Sequence, residues 1–278
     1  MSHVPVLCYH AVTDSPSAWI AGMSVTPRQF AAHVNTIIAL GRTPVGPTAF
    51  AAALGGGAPL PAGAVVITFD DGFAGVATVA ALLLADAGIP AGVYVTTGVV
   101  GGRSPGGDLM LTWAQIDELA AAGFEIGGHT HLHHQLDAVT PAVARADIVE
   151  GRDRLQDRLG HPLTGFAYPH GYSNRAVRRM VAGAGFTHAY AVRNALSKHT
   201  DDRYAISRLT ITADTSADRL ANWLGDRDLP RQPRPRPLLV AGWRAYRRAV
   251  ALRGRPNPWV AGMPAETPPD AADHQFVA

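Results

Sequence analysis

The sequence predicts an α/β protein built on a mostly parallel sheet. Two observations predict it. Short apolar, β-branched runs alternate with helical patterns from about residue 5 to residue 225. Three polar blocks, near residues 70, 130 and 169, each directly follow such a run. Loops at the carboxyl ends of parallel strands carry chemistry in this way.

The elements read in order as follows. Residues 5–10 form a first strand. Thr26 caps a helix with Pro27 at its first position and Phe30, Val34, Ile37 and Ile38 on one stripe, and Gly41 ends it. Residues 55–59 are a glycine-rich loop. Ala64-Val65-Val66-Ile67 is a buried strand, and residues 77–87 a buried helix stopped by Gly88-Ile89-Pro90. A strand over 91–97 leads to a flexible loop over 101–107. Thr112 caps a helix over 113–122, ended by Gly123, and 124–127 is the next strand. Thr140-Pro141 opens the most polar helix, which runs to about 159, its charges read as a solvated face. A strand over 165–168, a helix over 174–182, strands over 187–192 and 206–211, and a helix starting at 214–217 complete the core.

The tail differs. Residues 229–237 are an extended Pro/Arg linker, 238–252 a short amphipathic helix carrying Trp243 and Tyr246, and the chain beyond Gly254 reads as disordered. This divides the chain into a core domain over 1–225 and an extension over 226–278. Residues 226–255 hold nine arginines against Asp226 and Asp228, so the basic character belongs to the tail. It does not argue for nucleic-acid binding by the core. Docking of the Arg-rich segment to a partner or an anionic surface stands beside simple packing on the outside of the barrel.

The composition, 47% hydrophobic and 17% charged, is that of a globular protein. No apolar run reaches the ~20 residues of a membrane helix. The first residues lack a basic region followed by a long apolar one, so a cytoplasmic location is expected. The single cysteine, Cys8, excludes an intrachain disulfide and reads as a small core residue.

The chemistry lies in the three blocks. Thr68-Phe69-Asp70-Asp71-Gly72 puts two carboxylates at a strand end, where neighbours point to opposite sides and can serve different partners. Two acids beside an apolar strand call for a compensating cation. The second block is 125–134, Glu-Ile-Gly-Gly-His-Thr-His-Leu-His-His. Its His129 and His133 share a face if the segment makes one helical turn. With an aspartate they form a set suited to a catalytic divalent ion with open positions; a solvated histidine-rich loop reads from the same letters. The zinc-protease motif is excluded, because Thr130 stands where it requires glutamate. The third block is Phe166-Ala167-Tyr168-Pro169-His170-Gly171.

In this order and spacing the blocks resemble the NodB-like polysaccharide deacetylases, carbohydrate esterase family four, over roughly residues 4–215. The resemblance implies a distorted (β/α)7 barrel and metal-dependent hydrolysis of an N-acetyl group on an amino sugar. It implies Asp71, His129 and His133 as metal ligands and Asp70 as general base. Zinc is the default metal, with cobalt, nickel or manganese as alternatives. The backbone N–H of His170 would meet the oxyanion, with Pro169 and Gly171 in the same turn, and Tyr168 and Trp113 are either pocket walls or core.

The chain departs from the commonest pattern in three places. No late L-x-x-H block exists; Leu7-Cys8-Tyr9-His10 resembles the early block of circularly permuted members, which makes His10 the expected general acid. Ala167 stands where the family often has arginine, and Arg208 is the substitute partner for Asp70. His134 replaces the usual proline after the second metal histidine, and His131 and His134 read as surface or supporting groups. Two further readings remain open: a hydrolase of a non-sugar amide or imide, and a catalytically silent carbohydrate-binding protein.

Overall fold

The computed structural model describes residues 3–230, 242, 246–249 and 257–264. Its strands are β1 (His3–Val4), β2 (Val6–Tyr9), β3 (Thr43–Pro44), β4 (Ala64–Phe69), β5 (Gly92–Val95), β6 (Glu125–Gly128), β7 (Gly165–Ala167), β8 (His188–Tyr190), β9 (Ser197–Lys198) and β10 (Leu209–Thr210). Between them lie α1 (Pro27–Ala39), α2 (Pro47–Ala53), α3 (Ala81–Asp86), α4 (Trp113–Ala121), α5 (Pro141–Leu159), α6 (Arg175–Gly183) and, last, α7 (Ala217–Leu224).

The main sheet runs β10-β2-β4-β5-β6-β7-β8, all parallel, with β3 beside β4. It curls into the distorted seven-stranded barrel expected. A single parallel bridge, Tyr190 to Ile206, carries the β8 edge towards the segment that leads into β10. No ladder joins β8 to β10 among the described residues, so the barrel does not close evenly. The small antiparallel pair β1–β9 lies apart from this sheet.

Strand alternation sorts the core into two layers. Val65, Ile67 and Phe69 of β4 and Leu7 and Tyr9 of β2 face the outer layer under the helices. Ala64 and Val66 of β4 and Val6 of β2 face the barrel interior with Tyr94, Ala167 and Tyr190. The same period carries Thr68 and Asp70, and Cys8 and His10, to the inside at the carboxyl end. Those chains are polar because the interior there becomes a site.

Capping follows the sequence closely. Thr26, Thr140, Asn174 and Ser216 each accept a backbone N–H from the first turn of their helix, and Thr112 forms a capping box with Gln115. Several expectations need correction. Ile38 is exposed, and buried His33 completes the α1 stripe instead, bonding the Tyr9 hydroxyl (3.1 Å) and the Thr215 carbonyl (2.8 Å). The buried helix expected over 77–87 starts as a π-helical turn, Val76–Ala80, continues as α3, and exposes Leu82. Helix α2 was hidden in an alanine run without a polar cap. In the tail, 246–249 are helical, whereas the linker over 231–237 and most of the helix expected over 238–252 lie outside the described residues. The disorder expected beyond Gly254 does not hold for 257–264, which pack on the barrel with Trp259 buried.

Candidate active site

Asp70 and Asp71 end β4 and turn away from each other. Asp71 adopts a left-handed backbone (φ 72°) and Gly72 follows with φ 90°, a reversal that glycine alone makes without strain. Asp71 Oδ1 then lies 3.1 Å from His129 Nε2 and 3.1 Å from His133 Nε2. All three residues are buried, and their ligand atoms fall within 4.8 Å of one another. The Asp71 oxygen has no hydrogen-bond partner among the described residues. An unbonded buried carboxylate oxygen between two imidazole nitrogens is the arrangement a divalent cation satisfies. Burial pushes the Asp71 carboxyl up, but the neighbouring imidazoles outweigh it and hold it well below the usual range.

The histidines are oriented from behind. His129 follows β6, and its Nδ1 donates to the Ala167 carbonyl at 2.8 Å, which fixes the tautomer that leaves Nε2 free to ligate. His133 reaches the same point without the helical turn expected. Thr130 (φ 68°) and His133 (φ 54°) are left-handed, and the His133 N–H donates to Thr130 Oγ1 at 2.8 Å. Thr130 thus keeps the turn.

Asp147 of α5 holds this loop, and sequence reasoning missed it. Its carboxylate accepts the N–H groups of His131 (3.0 Å), Leu132 (2.6 Å) and His134 (3.2 Å), with His134 Nδ1 at 3.0 Å. Burial raises its pKa, but the bonds from His134 and Leu132 prevail and keep it low. The α5 charges are therefore not all a solvated face. Gly151, one turn on, lets α5 approach so closely that a Cβ there would strike the Thr130 carbonyl group. The usable signal was Asp147 and Gly151 at i, i+4 on a helix otherwise rich in long charged chains. Asp147→Ala should lower divalent-metal affinity by about 10–100-fold, as loss of an outer supporting group does; calorimetric titration measures it.

Asp70 faces inward and is met by Arg208. The guanidinium bonds both carboxylate oxygens, Nη1 to Oδ1 at 2.7 Å and Nη2 to Oδ2 at 2.6 Å, and also reaches Thr68 Oγ1 (3.1 Å) and the Ala191 carbonyl (3.2 Å). Both partners are buried. Burial raises the Asp70 pKa, and the Arg208 charge more than offsets it, so Asp70 stays ionised. Arg208 is therefore the cation paired with Asp70, as expected. Cys8 points its thiol at Asp70 Oδ2 (3.6 Å), and burial pushes that thiol well up. It is a protonated core group. Cys8, His10 and Asp70 also cluster closely, but the guanidinium already takes both Asp70 oxygens, which argues against a second cation there.

His10 stands at the end of β2, half-buried, with its Nδ1 unbonded among the described residues. Burial lowers its pKa against the upward pull of Asp71 and Asp70. His170 is left-handed (φ 57°), and its exposed ring meets His133 edge-on at 4.7 Å. Pro169 is buried, and the Gly171 N–H closes the turn on the Tyr168 carbonyl. Tyr168 is core: it is wholly buried, and its hydroxyl donates to the Tyr204 carbonyl at 2.9 Å. Trp113 is half-buried at the start of α4 and packs on the main apolar cluster. The aromatic residue that does reach the site is Trp259, whose ring lies 4.4 Å from that of His133. Of the supporting residues, His131 Nδ1 pairs with Thr97 Oγ1 at 2.9 Å.

A seven-stranded parallel barrel thus carries a clustered Asp-His-His set and a second aspartate at the carboxyl ends of its strands. Comparison with known proteins gives this arrangement a context. The polysaccharide deacetylase family model matches residues 57–189. Bacillus subtilis (strain 168) YxkH, named as a polysaccharide deacetylase, is 22% identical over 80% of this chain and 76% of its own. The structure of IcaB from Ammonifex degensii is similar at a TM-score of 0.73, with 27% identity over 81% of this chain and 97% of that one. Streptococcus pyogenes deacetylase PplD in complex with acetate gives 0.70 and 23%, covering 78% and 96%. The family model, the curated relative and the solved structures that the chain is similar to are all polysaccharide deacetylases or share their fold.

Proposed function

We propose that the chain is a metal-dependent N-deacetylase of an amino sugar. The observation that carries this is the pairing of two aspartates with different partners: Asp71 with His129 and His133, and Asp70 with Arg208. A binding module needs neither.

Asp71, His129 and His133 would hold the divalent ion, zinc by default, which polarises the amide carbonyl and activates water when bound. Asp70, kept ionised by Arg208, takes the proton of the attacking water. The backbone N–H of His170 is the donor for the oxyanion. His10, on the inner face beside Asp70, gives a proton to the departing amine, which cannot leave as an amide anion. Acetate is then released, the molecule with which the related PplD was solved.

The test is acetate release from N-acetylglucosamine oligomers and from N-acetylated non-sugar amides. Sugar turnover that a chelator abolishes and zinc restores is the expected result. Turnover of the non-sugar amides alone would move the substrate class, and none with any metal would leave a silent fold.

A further inference from the structure

Resting on the reading of Asp71, His129 and His133 as an ion site, we infer that Trp259 is the positioning residue for His133, so that residues 257–264 complete that site. The two histidines are held differently. His129 is fixed through its second nitrogen, which donates to the Ala167 carbonyl at 2.8 Å. The corresponding nitrogen of His133, Nδ1, is buried and has no hydrogen-bond partner among the described residues. The bond from the His133 N–H to Thr130 Oγ1 sets its backbone and not the rotation of its ring. A ligating imidazole ordinarily takes its orientation from a hydrogen bond at the other nitrogen. His133 has to take it from packing.

Three rings meet that of His133. His129 lies at 4.9 Å and belongs to the ligand set itself. His170 stands edge-on at 4.7 Å, but it is exposed. Trp259 lies at 4.4 Å, inclined by only 31°, and is 2% exposed. The indole is held independently of His133, as a support must be. It packs in a separate apolar cluster with Ala11, Phe73, Val99 and Met110, and stands edge-on to Trp19 at 5.4 Å. Ala11 follows His10, and Phe73 is two residues after Asp71, so the indole rests on the turns that carry the site. Asn257 then ties it to the ligand loop. Its Oδ1 accepts the Trp259 N–H at 3.0 Å, and its Nδ2 donates to the Leu132 carbonyl at 2.6 Å, one residue before His133. On the far side the Arg103 N–H donates to the Gly262 carbonyl at 3.0 Å, and a Cβ on Gly262 would strike the Arg103 carbonyl. Arg247 adds a second tie to the loop, bonding Asp137 at 2.7 and 2.9 Å.

The test measures zinc affinity of the full chain by competition with a chromophoric chelator, for wild type, Trp259→Ala, Trp259→Phe and Met110→Ala. Melting curves of the metal-free proteins report folding. Trp259→Ala should weaken zinc by about 10–100-fold, the scale of losing an outer supporting group, and should alter the visible spectrum of the cobalt-loaded protein. Trp259→Phe, which keeps a ring against His133, should recover most of the loss. Met110→Ala thins the same cluster but leaves the indole in place, so it should lower the melting temperature and leave zinc affinity unchanged. Unchanged affinity in a folded Trp259→Ala, or an equal loss in Met110→Ala, overturns the inference. A second readout uses wild type alone. Coupling between two sites is reciprocal, so zinc should slow hydrogen exchange across 257–264 by about tenfold or more, matching the loss in Trp259→Ala. Exchange there that ignores zinc overturns the inference. Absence of tight zinc binding by wild type would overturn the ion-site reading and the inference with it. The expected zinc results without acetate from any sugar would support the inference and overturn only the deacetylase reading.

Discussion

Arg208→Met is expected to destabilise the protein by about 3–5 kcal/mol, because removing one partner of a buried ion pair leaves the other charge uncompensated. Arg208 and Asp70 are both buried, and the guanidinium makes two short bonds to one carboxylate. The loss should be pH-dependent. Asp70 has a folded-state pKa below its unfolded one, so its contribution to stability is present above the unfolded value and lost as pH falls through the folded one. Without Arg208 the remaining dominant influence is burial, which raises the pKa. Asp70 would then be protonated over part of the working range, and the acid limb of the activity profile should move to higher pH. Denaturant melts at several pH values and a pH–rate profile measure the two effects. Arg208→Lys, which restores charge but not the two-point geometry, should recover only part of each.

Substituting the two aspartates should separate their roles. Asp70→Asn removes a proton acceptor and should lower kcat by about 10²–10⁴-fold, while metal affinity stays near wild type. Asp71→Asn should abolish tight divalent binding, because the only carboxylate in the three-residue set is lost. Calorimetric metal titration beside acetate release reads both. Equal loss of metal affinity in the two variants would show that Asp70 is also a ligand.

Legibility in the sequence followed the range of each interaction. Asp70, Asp71, His129 and His133 could be found because each follows its strand directly, and strand ends in a parallel barrel converge. Most helix starts were visible because capping is a matter of three adjacent residues. Arg208 was reachable only by asking what replaces the arginine missing at Ala167. Asp147 was hidden because a buried acid on a charged helix has the letters of an exposed one. Trp259 was hidden for a different reason. Its neighbours His133 and Trp19 lie far away in the chain, and the composition around it suggested disorder. The loop that holds left-handed Thr130 and His133 is kept both by the local bond to Thr130 Oγ1 and by Asp147 of α5, and the second is a long-range contact.

The boundary at residue 225 looks like a natural place to shorten the chain for expression. The contacts of Arg247, Asn257 and Trp259 make it a poor one. A truncated enzyme would lose both guanidinium bonds to Asp137 and bare one face of His133 to water, so its substrate range would describe the shortened form and not the natural protein. Bulky fusions are better carried at the amino end.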